Sequence, residues 1–195
     1  MIYNSKISLQ IAKHLLEIGA VKISIEDPFI WTSQRKSPVY CDNRLILQHP
    51  EIRNLITQSF AMCLKEHFTS TQVIAGVSTA GIAPGVLLAN FLNLPFIYCR
   101  PDKKKWGLKN QIEGHVSPGQ KVLVVEDLVS TAGSSLAVID ALRHAGTEVI
   151  GLISIFSYEL QVAQSSILDA GILQYSLCNY KTLQEINKQL IDLED

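Results

Sequence analysis

The chain has 195 residues, 47% of them hydrophobic, with a formal net charge of −1. That length supports one well-buried domain and no second independent core. The near-balanced charge speaks against a general nucleic-acid coat or a basic membrane-surface protein, so any cationic site must be local.

In chain order, Ile7, Ile11, Leu15 and Ile18, with Ala12 and Leu16, share one helical face and predict a helix ending at Gly19. Val21, Ile23 and Ile25 then alternate with Lys22 and Ser24 as a strand, and this opening, residues 1–45, reads as a small hood on a single domain spanning 1–195. Pro50 starts a second helix with Ile52, Leu55, Ile56, Phe60, Cys63 and Leu64 inward. The segments 73–76, 96–99, 122–125, 149–156 and 174–177 predict strands, and they alternate with helices expected over 82–92, 136–145, 160–169 and 182–193. Repeated β and α elements predict an α/β, doubly wound, mainly parallel sheet.

Residues 100–119 break the alternation with no convincing strand or helix pattern, and loops of that length in compact domains are usually functional or disordered. Arg100, Lys103, Lys104, Lys105 and Lys109 concentrate positive charge there, and Gly107 and Gly114 supply hinges. A lysine run is most often a solvated loop. Its position just before the strand 122–125 favours a lid that closes on an anion.

That strand leads into Glu126 and Asp127, and its apolar run is expected to stop there, which puts charge at the carboxyl edge of the sheet where open α/β folds bind ligands. Leu128, Val129, Ser130, Thr131, Ala132, Gly133, Ser134 and Ser135 follow. Hydroxyls and closely spaced amides at a helix N-terminus cradle a phosphate. The order differs from the nucleoside-triphosphate P-loop and from the dinucleotide Gly-x-Gly-x-x-Gly turn. The four cysteines, Cys41, Cys63, Cys99 and Cys178, form no C-x-x-C pair, and the five histidines join them in no metal-type cluster. They read as reduced core thiols of a cytoplasmic protein. No leader-like N-terminus and no run of eighteen apolar residues is found, so neither export nor membrane insertion is expected.

The strand, paired acids and small-residue loop resemble the phosphoribosyl diphosphate signature of the type I phosphoribosyltransferases. Three further segments narrow the likeness: Ser37-Pro38-Val39-Tyr40-Cys41-Asp42-Asn43-Arg44, Gly76-Val77-Ser78-Thr79-Ala80-Gly81-Ile82, and 100–114 ending Asn-Gln-Ile-Glu-Gly. In order and spacing these are similar to the orotate phosphoribosyltransferase family over nearly the whole chain. The resemblance implies the type I phosphoribosyltransferase fold and transfer of ribose 5-phosphate from phosphoribosyl diphosphate to orotate, in de novo pyrimidine (UMP) biosynthesis.

On that resemblance, Glu126 and Asp127 face the ribose hydroxyls, and Leu128 and Val129 lead into the loop Ser130, Thr131, Ala132, Gly133 and Ser134 around the 5′-phosphate. Tyr40 and Cys41 pack on the pyrimidine, and Thr79, Ala80 and Gly81 approach the pyrophosphate. Arg100 and Lys104 reach the leaving group across a homodimer interface and, with Asp127, carry the catalysis. Magnesium is held mainly through the substrate, not by an all-protein cage. Trp106 also falls in the substrate-binding loop, at a position where many members carry histidine; Pro101 and Gln34 replace a common lysine and glycine. Two other readings share the scaffold: a phosphoribosyltransferase for another base, and a non-catalytic nucleotide-sensing regulator, for which Trp106 is the main support.

Overall fold

The structure, a computed structural model, describes residues 1–24, 28–30, 36–102 and 111–191. Helix α1 (Ser5–Glu17) begins where Asn4 accepts hydrogen bonds from the amides of Lys6 and Ile7, a side-chain N-cap, and buries Ile11, Ala12 and Leu15. Strand β1 (Val21–Ile23) follows. Two short antiparallel pairs make up the hood strands: β1 with β4 (Val39–Cys41), and β2 (Phe29–Ile30) with β3 (Lys36–Ser37). A 3-10 helix, Asn43–Gln48, leads into α2 (Pro50–His67), which has proline in its first turn.

The remaining chain alternates as the sequence predicts: β5 (Val73–Val77), α3 (Ile82–Leu92), β6 (Phe96–Cys99), β7 (Ile112–Glu113), β8 (Lys121–Val129), α4 (Gly133–His144), β9 (Glu148–Ser157), α5 (Gln161–Asp169), β10 (Gln174–Asn179) and α6 (Tyr180–Ile191). The six-stranded sheet runs β10-β9-β8-β5-β6-β7, parallel throughout except where β7 meets β6. The fold is a doubly wound α/β sheet, and alternation along its strands builds two cores. Ile74, Leu123, Val125, Ile153 and Leu177 face α1 and α2, whereas Val73, Ala75, Val122, Val124 and Leu152 pack with Val138, Ile139 and Leu142 of α4. Cys63, Cys99 and Cys178 are buried free thiols and Cys41 is partly buried.

Two expectations need correction. Strand β8 does not stop at Val125; its ladder with β9 continues through Glu126↔Ser154, Leu128↔Phe156 and Val129↔Ser157. The acids therefore lie inside the strand, because a parallel neighbour still supplies backbone partners after the apolar run has ended. Within 100–119, Ile112 and Glu113 form a strand on β6, too short to carry a readable period.

Candidate functional site

Beyond the carboxyl ends of the central strands lies a cavity of about 240 Å³ lined by Ser78, Thr79, Ala80, Glu126, Asp127, Leu128 and residues 130–135. Two turns form its walls. The first joins β5 to α3. A Cβ on Gly81 would lie 2.6 Å from the Val125 carbonyl and 2.7 Å from that of Val77, so only glycine lets this turn sit against β8. The second joins β8 to α4, with Ala132 held at φ +67°. No side chain caps either α3 or α4. First-turn amides of a helix have no acceptor within it, so the α4 N-terminus, whose Gly133, Ser134 and Ser135 line the cavity, brings donors and a positive dipole end toward it.

The two acids line the same cavity and their carboxyls interact directly, but they differ in burial. Glu126 is only 5% exposed; its carboxylate accepts from the Ser135 hydroxyl at 3.2 Å and from the Asp127 amide at 3.1 Å. Burial, reinforced by the charge of Asp127, pushes the Glu126 carboxyl well above the usual carboxylate range. Asp127 lies on the hood side, where burial also raises its carboxyl, opposed by hydrogen bonds and by Arg44. Both acids do lie at the carboxyl edge of the sheet, but Glu126 is committed to α4 through Ser135 and Asp127 is the more open of the two.

The other sequence-selected residues divide into groups. Thr79, Ala80, Leu128, Ser130, Thr131, Ala132, Gly133 and Ser134 meet in the cavity. Gly81 supports that wall from behind, its amide donating to Val77 O at 2.9 Å. Val129 is 1% exposed and belongs to the core, so its side chain faces away from the cavity. Tyr40 stands on β4, 41% exposed and 5.7 Å from the Phe29 ring. Beside it, burial and then the nearby Asp127 drive the Cys41 thiol upward, away from nucleophilic reactivity. Arg100 is outside the cavity lining; its guanidinium pairs with Glu113 at 3.3 Å, and Gln111 ties the loop base through the carbonyls of Arg100 and Pro101. Lys104, Trp106 and Gln34 lie outside the described residues.

One further residue of the site has no role legible in the sequence. Asn43, buried inside the motif 37–44, donates from Nδ2 to the Asp127 carbonyl at 2.8 Å. Its only sequence signal is a polar residue between the Asp42 cap and Arg44. Among the described residues no three His, Cys, Asp or Glu side chains gather into a metal site. The hard carboxylate oxygens of Asp127 beside an anion cradle are the donor type that magnesium takes when most of its shell is phosphate and water.

Sheet order, the small-residue cradle at the α4 start and the acid-bearing strand end agree with a phosphoribosyltransferase, the class that the sequence motifs resemble. The family model described as "Phosphoribosyl transferase domain" matches residues 43–169. Orotate phosphoribosyltransferase of Bacillus cytotoxicus is 48% identical over 180 residues, covering 92% of this chain and 86% of the relative. The Bacillus cereus enzyme of the same name is 49% identical over 177 residues, 91% of this chain and 84% of its own length. Among solved structures, orotate phosphoribosyltransferase from Aeropyrum pernix superposes with a TM-score of 0.81 at 27% identity, covering 92% of this chain and 98% of that one. Leishmania donovani UMP synthase gives 0.79 at 26% identity; 93% of this chain matches, spanning 38% of that longer protein. The chain belongs to the phosphoribosyltransferase family and, within it, to the orotate phosphoribosyltransferases.

Proposed function

We propose that this chain transfers the 5-phosphoribosyl group of phosphoribosyl diphosphate to orotate, giving orotidine 5′-monophosphate and pyrophosphate. The observation that carries this reading is the convergence of the 78–80 turn, Asp127 and the 130–135 loop on one cavity, in a chain 48% identical to a protein of that name. The loop Ser130–Ser134 with the α4 N-terminus takes the 5′-phosphate, Thr79 and Ala80 take the diphosphate, and Tyr40 and Cys41 offer the surface for the base. As the C1–O bond breaks, positive charge grows on the ribose and negative charge on the departing diphosphate. Asp127 stabilises the first and, in this reading, Arg100 and Lys104 the second, from a loop that reaches across a homodimer. Magnesium carried on the substrate would rest against Asp127 and neutralise leaving-group charge when bound. No covalent nucleophile is needed, which agrees with a Cys41 thiol held protonated by burial.

Among the described residues no helix is long and apolar enough to cross a membrane, and we place the reaction in the cytoplasm. The test is pyrophosphate release from phosphoribosyl diphosphate and magnesium with orotate, uracil, hypoxanthine or adenine as acceptor. Release with orotate at least a hundredfold faster than with the other bases is expected. Equal or faster release with another base gives the site to that base, and tight substrate binding with no release on any base makes the chain a sensor.

A further inference from the structure

The base-facing strand and the ribose-facing acid belong to separate parts of the chain, and one buried side chain joins them. Asn43 is 3% exposed and lies where β4 turns into the 3-10 helix. Its Nδ2 donates to the backbone carbonyl of Asp127 at 2.8 Å, across 84 residues of sequence, while its Oδ1 accepts from the Cys41 thiol at 3.3 Å. A main-chain carbonyl can only accept, so the amide nitrogen must face Asp127 and the oxygen must face Cys41. This end of β4 is tied to β1, since Cys41 pairs with Val21 and the Asp42 amide donates to Ala20 O at 2.7 Å. A longer contact, from the Tyr158 hydroxyl to Val39 O at 3.5 Å, steadies the other end of the strand.

We propose that Asn43 is a positioning residue, whose carboxamide sets the distance and tilt of the base-facing hood strand relative to the Asp127 strand end. The assignment rests on the reading above, in which the base meets Tyr40 and Cys41 while the ribose meets Asp127. Transfer requires the base nitrogen to sit in line with the ribose C1, and a misplacement of about 1 Å can cost on the order of a hundredfold in rate. The phosphate cradle lies on α4 and the 78–80 turn, neither of which Asn43 touches in the hydrogen-bond network. Loss of the link therefore separates the two substrates: phosphoribosyl diphosphate binds as before, and orotate is presented wrongly.

Asn43→Ala and Asn43→Asp test this through thermal unfolding, calorimetric binding of phosphoribosyl diphosphate, and steady-state kinetics with orotate. Asn43→Ala is expected to leave diphosphate affinity within about threefold, and to raise orotate KM and lower kcat by about tenfold or more each. Asn43→Asp keeps the size and the acceptor for Cys41 but turns a carboxylate oxygen toward the Asp127 carbonyl, so its kcat falls further than that of the alanine variant. A merely structural role would lower apparent kcat and the stoichiometry of diphosphate binding in step with the folded fraction and leave orotate KM unchanged, and that pattern overturns the proposal. Asn43→Ser, which keeps a polar group in the buried position, serves if the alanine variant does not fold; the same split is expected, and failure of both to fold overturns the assignment. Wild-type protein inert toward orotate refutes the function reading instead, whereas active wild type with unchanged Asn43→Ala kinetics refutes only the positioning role.

Discussion

Replacing Gly81 with alanine tests how the site is built into the sheet. The new methyl carbon would stand 2.6 Å from Val125 O, 2.7 Å from Val77 O and 3.0 Å from Val77 N, all backbone atoms of two paired central strands. None can rotate away as a side-chain end could. Relief requires the 78–81 turn to lift off β8, or β5 and β8 to part, and overpacking of this kind costs about 1–3 kcal/mol. With backbone on both sides the upper end applies. At about 2–4 °C per kcal/mol for a chain of this size, the melting midpoint should fall by roughly 6–12 °C. Because Thr79 and Ala80 line the cavity, the same displacement should weaken phosphoribosyl diphosphate binding well below saturation of the wild type. Circular dichroism melting with calorimetric titration at a temperature where the variant remains folded reads both effects. An unchanged midpoint would refute the close-approach argument, and a lowered midpoint with unchanged affinity would detach the turn from the ligand.

Gly133→Ala is the complementary case. Its added carbon meets only Thr131 Oγ1 at 3.9 Å, so stability should hold while the methyl group obstructs the amide cradle and weakens diphosphate binding; unaltered affinity would move the phosphate elsewhere. Glu126→Gln should raise the melting midpoint at pH 8 and hardly at all near pH 4. The folded-state carboxyl titrates above its unfolded value, so the wild type loses stability as pH rises through that window, and the amide has no proton to lose; a pH-independent difference would contradict the buried-acid description. Lys104→Ala should lower kcat by about a hundredfold or more without loss of fold, as removal of one transition-state contact does. Mixing it with Asp127→Asn should restore part of the activity if the loop works across a dimer, and no recovery despite confirmed subunit exchange would give each chain its own loop.

The strands β5, β6, β8 and β9 were legible because a strand covered on both faces needs an unbroken apolar run, and Val73–Val77 and Val122–Val125 provide one. The continuation of β8 was not legible. Glu126 and Asp127 read as an ending, and only the partner strand β9, contributed by a later part of the chain, keeps them in the ladder. Strands of two residues, such as Phe29–Ile30 and Ile112–Glu113, carry no period to detect. Within the site, the phosphate loop could be read because small residues and hydroxyls are adjacent in sequence. The unequal exposure of Glu126 and Asp127, and the reach of Asn43 to the Asp127 carbonyl, depend on contacts with distant segments and became visible only in three dimensions.

The most direct measurement is loss of orotate absorbance, followed together with pyrophosphate release, for wild type and Asp127→Asn at equal folded concentration. Wild type should consume orotate one for one with pyrophosphate, only when phosphoribosyl diphosphate and magnesium are both present. Asp127→Asn, with an undiminished melting midpoint, should be slower by about a hundredfold or more. Wild-type protein that leaves orotate untouched, or an Asp127→Asn variant that turns over at the wild-type rate, would contradict the proposed function.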